Sequence, residues 1–254
     1  MKLVHFVEWK KVPDEAFETT LKELASWGVS DLVAHPVWGL RDEETPGYLE
    51  KTARAVKSHG MNLPACHAYW GPQFDISNPD REALKKIVGK HAAFLRKLAP
   101  WGIRSYTLHI TWDQWESVAF AVEKLLPAAA ECGIALALEN GTDDHAARMK
   151  LIQLIHKFSH PMLGICFDTG HANCYGERDW QRSWLDLGAE AVTCHMHDNY
   201  GAFDDHNPPG EGNLDWRKLV SELKQAPRML HAETESGDWS RGSWEKFKAI
   251  WSAP

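Results

Sequence analysis

The chain has 254 residues, 44% of them hydrophobic and 25% charged, with a formal net charge of -7. That composition has ample apolar material for a core, and the acidic balance gives no general basic surface for nucleic acid. No run is long and apolar enough for a membrane span, and the opening MKLVHFVEWKK lacks the apolar core of a secretory signal.

Residues 2–8 alternate and predict a first strand, and 14–27 carry apolar positions at helical spacing, ended by Gly28. A short strand over 31–35 leads into a loop rich in Pro, Gly and acids. A helix over 48–59 follows, stopped by Gly60, then a strand over 62–67 and a longer loop over 68–79. Asp80 is placed to cap a long helix over 80–101. A strand over 103–109 and a helix over 114–132 come next, with Pro127 marking an expected kink or break. The nearly pure aliphatic run 134–139 is a strand, 144–158 a helix and 163–168 a strand. The remaining units are a helix over 177–187, a strand over 191–197, a helix over 216–225, a strand over 228–233 and a helix over 243–251.

These are eight strands, each followed by a helix, with no linker or repeat to divide them. Most strands are continuous apolar runs, as needed when both faces are covered. Strict alternation of this number predicts an α/β fold, a single (β/α)8 TIM barrel over residues 1–254. A doubly wound open sheet would need a Gly-rich first turn, and VEWKKVPDEAF has none. The five cysteines form no Cys-x-x-Cys and several lie in predicted strands. Buried, reduced thiols and a cytoplasmic location are the expectation.

A barrel of this type gathers its active site at the C-terminal strand ends. Here those ends read ACH, TLH, ALEN, CFDTGH, CHMHD and LHAET, delivering His67, His109, Glu139, Asp168 with His171, His195 or His197, and Glu233. His197 shares a strand face with His195, and Glu235 shares one with Glu233, so each assignment has an alternative two residues on. Carboxylates and imidazoles brought together from separate strands suit a divalent cation. Trp38, Tyr69, Trp70, Trp112, Trp115 and Trp239 fall in predicted loops or helix starts on the same side. An indole there can pack on a sugar face.

The segments LEN at 138–140, FDTGHAN at 167–173, HMHDN at 195–199, DDHNPPGEGNLDW at 204–216 and AET at 232–234 resemble the xylose isomerase-like barrel superfamily. That superfamily includes sugar phosphate isomerases and epimerases, and endonuclease IV. The resemblance implies a metal site of Glu139, Asp168, His195 and Glu233, holding manganese, zinc, cobalt or magnesium. Glu139 and Glu233 would double as the acid/base pair of proton abstraction next to a carbonyl, with a metal-stabilised enediolate. His171 would contact a substrate hydroxyl, and His67, His109, Trp70 and Trp112 would line the substrate pocket. The implied function is a sugar or sugar-phosphate isomerase or epimerase. An inosose-type polyol dehydratase would start with the same proton abstraction.

Endonuclease IV holds three zinc ions, and its pattern also has counterparts. His67 and His109 would join Glu139 at one zinc, and His171, Asp204 and His206 would hold the third. Nucleic acid is a partner only under this alternative, an abasic-site endonuclease. Its Gly- and Ala-rich opening strand is not matched by VHFVEWKK, and the acidic HPVWGLRDEETPG does not match its DNA-reading loop. The ketose 3-epimerase branch would place an Arg six residues after His195, where this chain has Gly201.

Overall fold

A computed structural model describes residues 1–111, 113–141 and 144–253. Eight parallel strands close into a barrel in chain order: β1 Lys2–His5, β2 Asp31–Ala34, β3 Asn62–His67, β4 Ser105–Leu108, β5 Ala135–Glu139, β6 Leu163–Asp168, β7 Ala191–His195 and β8 His231–Thr234. β8 pairs with β1, with Val4 opposite Glu233, so the sheet has no free edge. The expected (β/α)8 TIM barrel is the observed architecture.

The outer ring comprises α1 Phe17–Ser26, α2 Pro36–Glu44, α3 Tyr48–Ser58, α4 Arg81–Leu98, α5 Trp115–Cys132, α6 His145–Phe158, α7 Thr169–Cys174, α8 Trp180–Leu187, α9 Trp216–Gln225 and α10 Arg241–Ser252. Leu84, Leu95 and Leu98 of α4, and Val118, Leu125 and Ala129 of α5, are buried in the main core between helices and sheet. A second, smaller cluster of Val4, Val33 and Ala65, with Phe6 against it, fills the barrel interior. A third apolar cluster, Ala137, Cys166 and Val192, lies across β5, β6 and β7.

Three local outcomes differ from the sequence expectation. The first strand is shorter, because the chain turns into a 3-10 helix over Trp9–Lys11 whose Trp9 packs on Trp38. The loop after β2 contains a helix, α2, since the His35 ring accepts the Val37 N–H and Pro36 sits at the first helical position. Pro127 does not break α5; it lies on the exposed face, where water can serve the carbonyl it leaves without a partner. Asp80 caps α4 as expected, accepting the N–H groups of Glu82 and Ala83. Five cysteines are free, and no helix of the described residues is long and apolar enough to cross a membrane.

Candidate metal centre

Glu139 ends β5, Asp168 ends β6 and His195 ends β7, so three strands deliver their last residue to one side of the mouth. Glu235 follows β8 directly. One donor atom from each of Glu139, Asp168, His195 and Glu235 lies within 4.8 Å of all the others. His195 Nδ1 is 2.7 Å from Glu235 Oε2, 3.6 Å from Glu139 Oε2 and 3.8 Å from Asp168 Oδ2. Yet Glu139 Oε2, His195 Nδ1 and Glu235 Oε2 are all buried without a hydrogen bond. Burying three carboxylates around one imidazole with these atoms lacking hydrogen bonds is costly, and a shared cation offsets that cost. Hard oxygen donors with one imidazole fit a divalent ion.

The expected fourth member, Glu233, stands one layer lower. Its Oε1 accepts the Thr193 hydroxyl at 3.1 Å and its Oε2 accepts His67 Nε2–H at 3.0 Å. His231, 3.3 Å from Oε1 and bonded to Ser105, completes this buried polar column. The cause is strand periodicity: 231, 233 and 235 all face inward, and each pair of residues climbs about 6.6 Å. Pairing of His195 with Glu233 leaves that carboxylate beneath the imidazole, 3.7 Å from its Nε2, whereas Glu235 clears the top. The other two-residue alternative resolves toward His195. His197 Nε2–H donates to Asp168 at 3.1 Å and its ring stacks on His206 with centroids 3.9 Å apart, so it falls in a separate donor group with His206 and Glu235.

Two groups flank the four donors. On one side the His67 ring stacks on His195 with centroids 4.5 Å apart. Since His67 Nε2–H is given to Glu233, its Nδ1 lone pair faces Glu235, 3.7 Å away. His109 Nε2 reaches Glu139 Oε2 at 3.3 Å from the rim. On the other side His171 Nε2 and His206 Nε2 each stand 3.2 Å from Asp204 Oδ2. Their Nδ1–H groups are both committed to backbone carbonyls, of Asn140 and Glu235. Each neutral ring would then turn a lone pair on the carboxylate, so either a proton or a cation must lie between them.

Without a cation, protons fill that role. Burial is the largest influence on His206 and opposes its charge, but the hydrogen bond to Asp204 and the charges of Glu235, Asp168 and Asp204 together outweigh it and hold its pKa up to about 10. Burial likewise opposes charge on His171, and Asp168 and Asp204 raise it well above the usual imidazole value. Burial alone would lift the Glu139 and Asp168 carboxyls; His109 and His195 beside the first, and His171 and His197 beside the second, hold both below their ordinary values. Metal uptake at such a site displaces protons.

The second flank is built by Asp198, a residue of the HMHDN segment to which the sequence reading gave no role. Its buried carboxylate accepts the N–H groups of Asn199, Gly210 and Leu214 and the Trp216 indole N–H. These bonds fold residues 199–216 back over the barrel and present Asp204 and His206. Gly212 is demanded there, because a Cβ would stand 2.1 Å from Asp198 Oδ1. Gly170 is demanded likewise by the His197 ring, 1.9 Å from where its Cβ would be.

The cluster forms one wall of a pocket of about 290 Å³, and Phe6, Glu8, Lys10, His35 and Trp70 form the other. Trp70 is thus at the pocket and largely exposed, whereas Trp38 and Tyr69 are buried. Trp112 lies outside the described residues. The Glu8 carboxylate, missed in the sequence, accepts His35 Nε2–H at 3.0 Å and pairs with Lys10 at 3.3 Å.

Comparison with known proteins agrees with this architecture. An uncharacterized protein of Sinorhizobium fredii is 33% identical over 86% of this chain and 80% of its own length. An uncharacterized protein of Methanocaldococcus jannaschii is 28% identical over 149 residues, which span 57% of this chain and about half, 48%, of that protein. Among solved structures, the 3-keto-D-glucoside 4-epimerase of E. coli superposes over the whole of both chains with a TM-score of 0.78 at 15% identity. D-Psicose 3-epimerase from Clostridium cellulolyticum does so with 0.77 at 12%. The IOLI protein, crystallised with a zinc atom, gives 0.77 at 14% over 98% of this chain and 96% of its own. A family model described as xylose isomerase-like TIM barrel matches residues 21–246, and the chain belongs to that family.

Proposed function

We propose that this protein is a divalent-metal-dependent sugar isomerase or epimerase. The observation that carries the reading is the set of four donors, Glu139, Asp168, His195 and Glu235, with buried atoms left unbonded around one point at a pocket of sugar size. Sugar epimerases are among the proteins whose fold it resembles.

In this reading Glu139, Asp168, His195 and Glu235 hold the cation, with Glu235 taking the place first assigned to Glu233. A bound divalent cation supplies the positive charge that offsets negative charge developing on a substrate carbonyl oxygen. Glu139 and Glu235 both line the pocket, from strands on different sides of the mouth, and are the acid/base pair. One removes the proton next to the carbonyl and the other returns one, each step contributing about 10²–10⁴ in rate. Glu233 is not at the pocket. It lies behind His195, 3.7 Å from Nε2 and without a hydrogen bond to it, where its charge favours a proton on Nε2 and leaves the Nδ1 lone pair toward the donors. The same proton abstraction would begin a polyol dehydration.

A second reading, the three-zinc abasic-site endonuclease, is favoured by one specific feature. His171 and His206 turn Nε2 lone pairs on Asp204, a third ready-made ligand group, while His67 and His109 adjoin the other flank. The pocket's charge argues for the sugar: Lys10 is its one Lys or Arg among the described residues, and Glu8 already pairs with it. Deuterium exchange at the carbon next to the carbonyl, followed by NMR on the metal-loaded protein, tests the sugar reading. Exchange should vanish in Glu139→Gln. Rapid nicking of abasic duplex DNA with three zincs per chain, and no sugar exchange, would reverse the order.

A further inference from the structure

A second cavity opens beside the metal pocket, between the loops that follow β3 and β4. It has a volume of about 330 Å³ and is walled by Tyr69, Trp70, Phe74, Asp75, His109 and Thr111. Trp70 and His109 also line the metal pocket, so the two cavities adjoin at these residues. Each is of single-ring size, and the smaller alone would serve a free monosaccharide.

Three features say what the second cavity would take. Trp70 is 59% exposed, a large indole on the rim with no core to fill. Lys10 Nζ lies 5.2 Å from its ring centroid, and this contact steadies the indole between the two cavities. Such a ring offers a flat apolar surface for the C–H face of a pyranose. Across from it, Asp75 Oδ1 accepts the Ser77 N–H and Oδ2 accepts the Thr111 hydroxyl, which fixes the carboxylate and leaves lone pairs for further hydroxyl donors. Finally, none of the described residues of this cavity is a Lys or Arg, and Asp75 is its one carboxylate. A phosphate there would meet a like charge, and the two cations nearby, Lys10 over Trp70 and Lys90 over Phe74, are already paired with Glu8 and Glu43.

We infer that this cavity is a subsite for a neutral glycosyl ring, so that the ligand is a keto sugar bearing a second sugar unit rather than a free monosaccharide or a sugar phosphate. The inference rests on the sugar reading of the neighbouring metal pocket. Stacking on Trp70 and hydroxyl donation to Asp75 bind the second ring, while the keto unit occupies the metal pocket.

Calorimetric titration of the manganese-loaded full chain tests it. The probes are D-fructose, four of its glucosyl derivatives (turanose, maltulose, leucrose and isomaltulose), and fructose 6-phosphate. At least one disaccharide should bind about tenfold or more tightly than D-fructose, and the phosphate more weakly than D-fructose. Thr111→Phe, which fills the second cavity from an exposed position, and Asp75→Asn should each abolish the disaccharide's advantage and leave D-fructose affinity unchanged. D-Fructose binding with no disaccharide advantage, or an advantage surviving both variants, overturns the subsite alone. Failure of every sugar to bind the metal-loaded protein overturns the sugar reading and the subsite with it.

Discussion

The exchange of Glu233 for Glu235 can be tested by asking which carboxylate the cation needs. Consider Glu235→Gln and Glu233→Gln, each of which keeps shape and removes charge. A cation present at 100 times its Kd stabilises the native wild-type protein by about 2.7 kcal/mol. For a chain of this size, each kcal/mol moves Tm by roughly 2–4 °C, so metal should raise Tm by about 5–10 °C. Glu235 Oε2 is one of the unbonded donors at the cluster, so its loss removes a direct ligand. A weakening of about 100-fold at the same metal concentration leaves only about 0.4 kcal/mol, and the Tm rise should all but vanish. Glu233 acts through His195 Nε2, 3.7 Å away. An outer partner of this kind is worth about 10–100-fold in affinity, and a tenfold loss would leave about 1.4 kcal/mol, half the rise. Differential scanning fluorimetry with metal and with chelator reads both, the chelated sample giving each variant's own baseline. A full metal-induced rise in Glu235→Gln, with none in Glu233→Gln, would refute the layer assignment.

Other substitutions probe the scaffold that holds the centre. Gly170→Ala places a methyl against the His197 ring, which Asp168 and His206 hold in place, so it should lose about 1–3 kcal/mol in urea unfolding and weaken metal binding. Asp198→Ala strands three backbone N–H groups and an indole N–H; at roughly 1–3 kcal/mol for each left unsatisfied, at least about 3 kcal/mol should be lost. His91 gives a pH prediction. It is fully buried between Tyr106 and the Phe74 carbonyl, and burial lowers its pKa from 6.5 to about 4. The unfolded chain takes up the proton first, so this contribution is complete above pH 6.5 and is lost as pH falls toward 4. Between pH 7.5 and pH 5 the loss should be about 2 kcal/mol, and it should be absent from the pH dependence of His91→Gln.

Much of this protein can be read without coordinates because its strands are short apolar runs punctuated by glycines, and each run ends on a residue able to bind a cation. Glu139 and Asp168 stand out as candidates from that alone, whereas the choice of His195 over His197 comes from the resemblance of HMHDN to the family's segment. Helix α2 was harder, since its start depends on the His35 ring replacing the usual short capping side chain. Asp198 and Glu8 were missed for a related reason: their partners, Gly210 and Trp216 for one and His35 for the other, are remote in sequence.

The Glu233 and Glu235 ambiguity is of another kind, and it shows what periodicity can and cannot specify. Alternation says that 231, 233 and 235 face the same way, so residue type and strand face fit either glutamate equally. What separates them is position along the strand, about 6.6 Å for two residues, more than the distance across a coordination shell. Height follows from how β8 is staggered against β7, and that stagger is a property of the closed barrel rather than of the local segment. His195 pairs with Glu233, so its ring rises past that carboxylate and meets the next one up. The stagger thus gives the two glutamates separate places in the centre: Glu235 beside the donor atom of His195, and Glu233 behind its other nitrogen. A barrel closed with β8 two residues out of this register would bring Glu233 to the level Glu235 now holds and His231 to that of Glu233, without altering a single side chain.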